Sequence, residues 1–349
     1  MDLTVKIKKR LRSFTLSAAF SVHDEVFALL GASGCGKSMT LKCIAGLELP
    51  DEGYIALNGR VLFDSEKGID LPPQERRIGY LFQNFALFPN MTIADNIRFV
   101  ARGSKEDKER VVTENLARFA LAEQKNAYPA ELSGGQQQRA AFARILATDA
   151  ELLLLDEPFS ALDSYLKWQI ELELMDLLKT YDGAALLVSH DRGEVYRLAS
   201  RAAVINRGNM ESVHPTRELF HNPTTLAATL LTGCKNVSAA HVLDDTHIRA
   251  ADWQIDLAVA QARTDTRCIG LRAHFLAYRS GAEDPAQNIF RMDVARVIED
   301  TFSYLVMVRR AGTDGGLIRW ELSKAEWEKI AAEQICLYFP PEEIMQLKG

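Results

Sequence analysis

The chain has 349 residues, 47% of them hydrophobic and 25% charged, with a formal net charge of -6. That length allows about two domains and a sizeable core, and the composition is that of an ordinary soluble globular protein. The acidic balance speaks against nucleic acid as a partner, and no window approaches the roughly 18 uninterrupted apolar residues of a membrane span. Cys35, Cys43, Cys234, Cys268 and Cys336 form no CxxC pair or zinc-spaced cluster, so free thiols in a reducing compartment are expected. The charged N-terminus is followed by no long apolar segment, so no signal peptide is expected.

From residue 1 to about 225, short apolar runs alternate with helix-like segments. EVFALLG (25–31), IGYLFQ (78–83), ELLLLDEP (151–158), AALLVSH (184–190) and RAAVINRG (201–208) read as strands. Several are continuous rather than alternating, which suits strands covered on both faces. An α/β fold with a mostly parallel sheet is therefore predicted. Around 219–236 a polar turn with Pro223 leads into a short helix and then a glycine. Beyond it the texture changes. NIFRMDVARVIED, YLVMVRR and DGGLIRWEL alternate as strands, and Ser323 with Glu326 makes the capping pattern of a helix start. A first domain over 1–230 and a smaller, mainly β domain over 236–349 are expected.

The chemistry begins at GxxxxGKS, Gly31 to Ser38, placed between an apolar strand and an apolar helix. Glycines at these positions let backbone N–H groups wrap phosphate oxygens, and the helix N-terminus adds its positive dipole. Gly31, Ala32, Ser33, Gly34, Cys35, Gly36 and Met39 are thus candidate nucleotide contacts. Lys37 can neutralise the β- and γ-phosphates, and Ser38 can place its hydroxyl on Mg²⁺. Cys35 sits inside the loop, so its oxidation or alkylation would block ATP.

LLLLDE ends a buried strand on Asp156, suited to a metal-associated acid, and Glu157, suited to a general base. His190 ends another apolar run, and Gln83 ends IGYLFQ. In a parallel sheet all of these would arrive at the carboxyl edge where ligands sit. There Gln83 could reach Mg²⁺ or the attacking water. A second phosphate-binding pattern, a Ser-Gly-Gly turn opening into a helix, lies at Glu131–Arg144.

Together these pieces closely resemble ATP-binding-cassette (ABC) ATPases over roughly residues 1–230. The loop, Gln83, LSGGQ (132–136), LLLLDEP, SALD (160–163) and SHD (189–191) follow that family's order. The resemblance implies a P-loop NTPase domain with a helical subdomain, working as a head-to-tail homodimer on ATP and Mg²⁺. It implies Glu157, His190 and Gln83 as catalytic groups and Ser38, Gln83 and Asp156 around the metal. Ser133, Gly134, Gly135 and Gln136, with Asp163, would complete the partner's nucleotide site. Phe14 is the candidate for stacking on adenine.

The family context further implies an importer's energy-coupling subunit, peripheral on the cytoplasmic side of the membrane. It would dock on separate permease subunits and be served indirectly by a solute-binding protein. NFALFPNMTIADNI (84–97) is the expected docking edge. The stretch at 57–89 resembles the ATPase of bacterial molybdate importers, and the trailing β domain resembles TOBE/Mop regulatory domains. Molybdate therefore leads as substrate, ahead of sulfate, ferric iron, spermidine and sugars. The C-terminal domain is expected either to sense an oxyanion or to help dimerisation. A soluble cassette ATPase of DNA repair or translation would carry a long coiled-coil insertion or two cassettes. A P-loop kinase or GTPase would leave LSGGQ unexplained.

Overall fold

The computed structural model describes residues 1–160, 162, 164–330 and 335–348, with Ser212 described in its backbone alone. Met1–Arg217 and Glu218–Gly349 form two compact units. The break falls ahead of the 230–236 boundary expected from the sequence.

The first unit opens with an antiparallel wing. β1 (Asp2–Arg10) and β2 (Thr15–His23) alternate buried and exposed residues along their length, as one-faced strands do. β3 (Val26–Leu30) is followed by the phosphate loop and α1 (Lys37–Ala45). β4 (Glu52–Leu57), β5 (Arg60–Asp64) and the short β6 (Ile69–Asp70) return to the wing. β7 (Ile78–Leu81) then leads into a helical excursion, α2 (Ile93–Val100), α3 (Lys105–Arg118) and α4 (Gly134–Leu146), before β8 (Leu152–Asp156). The unit closes with α5 (Ser164–Thr180), β9 (Ala184–Val188), α6 (Arg192–Leu198), β10 (Arg201–Asn206) and β11 (Asn209–Pro215).

One mixed sheet of eleven strands results, in the order β6-β5-β4-β1-β2-β11-β10-β3-β9-β8-β7. The five strands expected from the sequence, β10-β3-β9-β8-β7, are its parallel half. β8 and β9 are buried at every residue, which explains their unbroken apolar runs. Leu41, Cys43 and Ile44 of α1 share one core with Phe27, Leu29, Leu152, Leu154, Leu186 and Val188. Each fully buried Leu, Ile or Phe side chain there contributes about 1.5–3 kcal/mol.

The second unit begins in α7 (Thr216–His221), followed by α8 (Leu226–Leu231), the short helix expected after Pro223. β12 (Asn236–Val242), β13 (His247–Ala250), β14 (Ile255–Ala258) and β15 (Cys268–Leu271) follow, then β16 (Ala277–Arg279), β17 (Ile289–Glu299), β18 (Ser303–Arg310) and β19 (Ile318–Ser323). α9 (Lys324–Ile330), β20 (Ile335–Tyr338) and β21 (Met345–Leu347) end the chain. They make two antiparallel five-stranded sheets around a core that includes Trp253, Phe290, Trp320 and Phe339. The Ser323–Glu326 cap forms as expected: Ser323 N donates to Glu326 Oε2 at 2.8 Å and Glu326 N to Ser323 Oγ at 3.3 Å. All five cysteines are free thiols. No helix among the described residues is long and apolar enough to cross a membrane.

Candidate nucleotide site

The loop after β3 turns through two left-handed glycines, Gly34 (φ +76°) and Gly36 (φ +115°), a region that side chains disfavour. At Gly31 a Cβ would fall 2.4 Å from Cys35 Sγ and 2.6 Å from the Ile205 carbonyl oxygen, so only glycine fits. Lys37 opens α1 with its side chain folded back, Nζ donating to the Gly31 and Ala32 carbonyls at 2.8 and 3.1 Å. It is 5% exposed and has no carboxylate partner among the described residues. The first turn of α1 carries no acidic residue either. A buried ammonium and an uncapped helix N-terminus at one loop are complementary to an anion, and this donor set fits the phosphates of a nucleotide. Cys35 is buried with its sulfur turned toward Gly31, so a thiol reagent would reach it only when the loop opens. Met39, half-buried, packs against the core.

The parallel register brings the carboxyl ends of β7, β8 and β9 level, with Leu81 opposite Leu155 and Asp156 opposite Val188. Asp156 is buried and divided between two hydroxyls. Ser38 Oγ donates to Oδ1 at 2.8 Å, and the Tyr80 hydroxyl donates to Oδ2 at 2.9 Å. Burial and the neighbouring Asp156 charge push the Tyr80 phenol pKa far up, so it stays a donor. A hydroxyl beside a carboxylate is an all-oxygen donor pair that fits Mg²⁺, whose other ligands in such sites are phosphate oxygens and water. Tyr80 was not singled out in the sequence. It is one aromatic residue within a strand, and its partner lies 76 residues away.

Glu157 follows with φ +48°, held there by its N–H donating to the Val188 carbonyl at 2.9 Å. Its Oε2 lies 3.3 Å from His190 Nδ1 and 3.5 Å from Gln83 Nε2. The structure thus brings Lys37, Ser38, Asp156, Glu157, His190 and Gln83 to one sheet edge.

His190 is carried by a buttressed turn. Ser189 is buried and its Oγ donates to Glu194 Oε2 at 2.5 Å, while Asp191 caps α6 by accepting from Gly193 N at 2.7 Å. Lys167 of α5 bridges Asp191 Oδ2 and Glu194 Oε1 at 2.5 and 2.6 Å. Burial, which would raise Asp191, is outweighed by Lys167 and the Gly193 N–H, so Asp191 sits below its ordinary pKa. Burial wins at Glu194, which sits above its own.

The Ser-Gly-Gly turn forms the start of α4. Ser133 is its N-cap, and a capping box joins Ser133 N to Gln136 Oε1 at 2.9 Å and Gln136 N to Ser133 Oγ at 3.4 Å. A Cβ at Gly135 would fall 2.7 Å from Leu166 Cδ2, whereas Gly134 is exposed and has room. Among the described residues no hydrogen bond joins 131–137 to 31–38. Farther along α4, Gln138 Nε2 donates to the Pro158 carbonyl at 2.7 Å.

Phe14 lies half-buried between β1 and β2, its ring over the left-handed Gly208 and beside Gly36. That places it next to the phosphate loop. Asp163 falls outside the described residues. Within 84–97 the residues divide. Phe85, Ile93 and Ile97 are core, while Phe88 is 37% exposed and stacks edge-on with the 61% exposed Phe99 at 5.0 Å.

The sheet order, the loop between strand and helix, and the carboxylates at the sheet edge make a P-loop fold of the ATP-binding-cassette type. Residues 17–160 match the family described as ABC transporter. A ferric-ion import ATP-binding protein of Pectobacterium atrosepticum is 46% identical over 200 residues, 57% of this chain and 57% of its own. A spermidine/putrescine import ATP-binding protein of Nitrosospira multiformis is 40% identical over 245 residues, 68% of this chain and 66% of its own. A sulfate/thiosulfate import ATP-binding protein of Mannheimia succiniciproducens is 39% identical over 227 residues, 63% of this chain and 62% of its own. The chain thus spans between 57% and 66% of the length of these relatives. A solved dimeric ATP-binding cassette in a post-hydrolysis state, bound to ADP and Pi, superimposes with a TM-score of 0.52 at 28% identity. That likeness covers 62% of this chain and 99% of the other.

Proposed function

We propose that this protein is the ATP-hydrolysing, energy-coupling subunit of an ABC importer, peripheral on the cytoplasmic side of a membrane. The observation that carries this reading is the convergence at one sheet edge of the Lys37 loop, the Ser38–Asp156 pair and Glu157 with His190 and Gln83. Lys37 and the Gly31–Ser38 backbone hold the phosphates, Phe14 lies against the base, and Ser38 and Asp156 with Gln83 serve the metal. Mg²⁺, when bound, neutralises charge developing on the phosphates. Glu157 accepts a proton from the attacking water, and His190 and Gln83 orient that carboxylate and report on the γ-phosphate. Two copies act head to tail, each offering Ser133, Gly134, Gly135 and Gln136, with Asp163, to the nucleotide on the other. The Phe88–Phe99 surface receives the permease, whose substrate arrives through a separate binding protein.

The substrate is taken to be an oxyanion, with ferric iron, a polyamine or a sugar as the alternatives. Relatives are named for ferric iron, spermidine/putrescine and sulfate/thiosulfate, while the 57–89 stretch points to molybdate. Two of that stretch's arginines have architectural roles. Arg76 is fully buried and its Nη1 caps α1 by donating to the Cys43 and Ile44 carbonyls at 2.9 and 2.8 Å. Arg60 donates to the Glu75 and Arg76 carbonyls at 2.8 and 2.9 Å. We keep molybdate as the oxyanion reading, with the C-terminal unit as its regulatory module. ATPase assays of the complex assembled with its permease and binding protein, given molybdate, sulfate, ferric iron or spermidine in turn, test it. Stimulation by molybdate is expected. Stimulation by ferric iron or spermidine alone would overturn the oxyanion reading, and absence of ATP hydrolysis would overturn the whole.

A further inference from the structure

Arg144, in the last turn of α4, is 7% exposed and has no carboxylate partner among the described residues. Its Nη1 donates to the Ala86 carbonyl at 2.6 Å and its Nη2 to the Phe85 carbonyl at 2.9 Å. The guanidinium lies 5.4 Å from the centroid of the Phe88 ring. A cation buried on carbonyls and a ring face alone is an expensive way to fill space. What it holds is unusual. Phe85 and Ala86 are consecutive non-glycine residues in the left-handed region, at φ +59° and +47°, each costing about 1–2 kcal/mol. The fork of a guanidinium matches two adjacent carbonyls turned the same way, which a point charge cannot do.

The loop so held carries Gln83 two residues before Phe85. At its far end Asn96, fully buried, donates to the Phe88, Met91 and Thr92 carbonyls and accepts from Phe88 N. The same α4 starts at Ser133–Gly134–Gly135 and grips the segment after Glu157 through Gln138. One helix therefore holds the loops of both Gln83 and Glu157, and its arginine lies against the ring that pairs with Phe99 on the surface.

We propose that Arg144 is the positioning residue that sets Gln83 against Glu157, by clamping the Phe85–Ala86 turn to α4. This rests on the reading of Gln83 as part of the ATP site. Burial pushes the Arg144 guanidinium pKa down, as expected of a cation without an anion beside it.

The test is a double-mutant cycle on the full chain, measuring kcat and KM for ATP in Arg144→Lys, Gln83→Ala and the double variant. Arg144→Lys is expected to lower kcat about tenfold, with KM within about twofold, as for a small misplacement of a reacting group. In the Gln83→Ala background the same change is expected to do nothing further. Multiplicative losses would overturn the proposal, because Arg144 would then act independently of Gln83. Wild-type turnover in Gln83→Ala would instead overturn the reading of Gln83 itself. Should Arg144→Lys not fold, Ala86→Val carries the test. A β-branched side chain at this exposed position disfavours the left-handed backbone and shifts the loop with Arg144 in place, and a several-fold fall in kcat is expected that vanishes in the Gln83→Ala background. Unchanged turnover in Ala86→Val would overturn the proposal.

Discussion

The Tyr80 hydroxyl donates to Asp156 across 2.9 Å, leaving the carboxylate's other oxygen to Ser38. β7, which ends beside Gln83, thus also orients the acid on the neighbouring strand. Tyr80→Phe removes one donor and leaves a buried carboxylate oxygen unpaired, a cost of about 1–3 kcal/mol. A lower Tm and a several-fold weaker dependence of ATPase rate on Mg²⁺ are expected. An unchanged Mg²⁺ titration would show that Asp156 does not need Tyr80 to hold its orientation.

Glu157→Gln keeps the side chain's shape but cannot accept a proton. Nucleotide binding is expected to persist while turnover falls about 10²- to 10⁴-fold. Titration with ATP, followed by single-turnover measurement, checks both halves. Near-normal turnover would remove Glu157 from the role of base.

The two glycines at the start of α4 are expected to respond differently to alanine. Gly135→Ala meets Leu166 and is expected to lower Tm by several degrees, since overpacking costs about 1–3 kcal/mol. Gly134→Ala has room and is expected to leave Tm near that of the parent. Ser133→Arg, at an exposed position, is expected to abolish hydrolysis while nucleotide binding by a single copy persists. Loss of binding together with hydrolysis would place this turn at its own chain's nucleotide instead.

Lys167→Met leaves Asp191 and Glu194 facing each other without the cation. A destabilisation of roughly 2 kcal/mol is expected at pH 7.5, below the figure for a fully buried pair because Lys167 is partly exposed. Glu194 sits above its ordinary pKa of 4.5, so the folded state holds its proton more tightly than the unfolded chain. Stability of the variant is therefore expected to fall as pH rises above about 4.5, and to recover on acidification toward pH 5. Thermal melts at pH 5 and 7.5 check the sign, and a loss that deepens on acidification would contradict it.

The parallel half of the sheet was legible because its strands are covered on both faces and read as unbroken apolar runs. The antiparallel wing was not. Leu3, Val5 and Ile7 alternate cleanly with solvent-facing residues, but Lys6, Lys8, Lys9 and Arg10 make the segment look like a charged N-terminus. Residues in short motifs were legible one by one, since each motif is local. Tyr80, Lys167 and Arg144 were not, because each acts on a partner 24 to 76 residues away and no spacing rule reaches that far. At 57–89 the reverse held. The resemblance there rests on the stretch as a whole, while the contacts show Arg76 capping the C-terminal end of α1 and Arg60 tying down the turn at Glu75 and Arg76.

The left-handed backbone at Glu157 sets the fold against its own activity. At φ +48° a glycine or asparagine would sit more comfortably, by about 0.5–1 kcal/mol. Selection for heat resistance alone would therefore favour discarding this carboxylate. Its persistence would have to be enforced by a demand for turnover, and a library of this protein sorted first for stability and then for ATPase rate would pull position 157 in opposite directions.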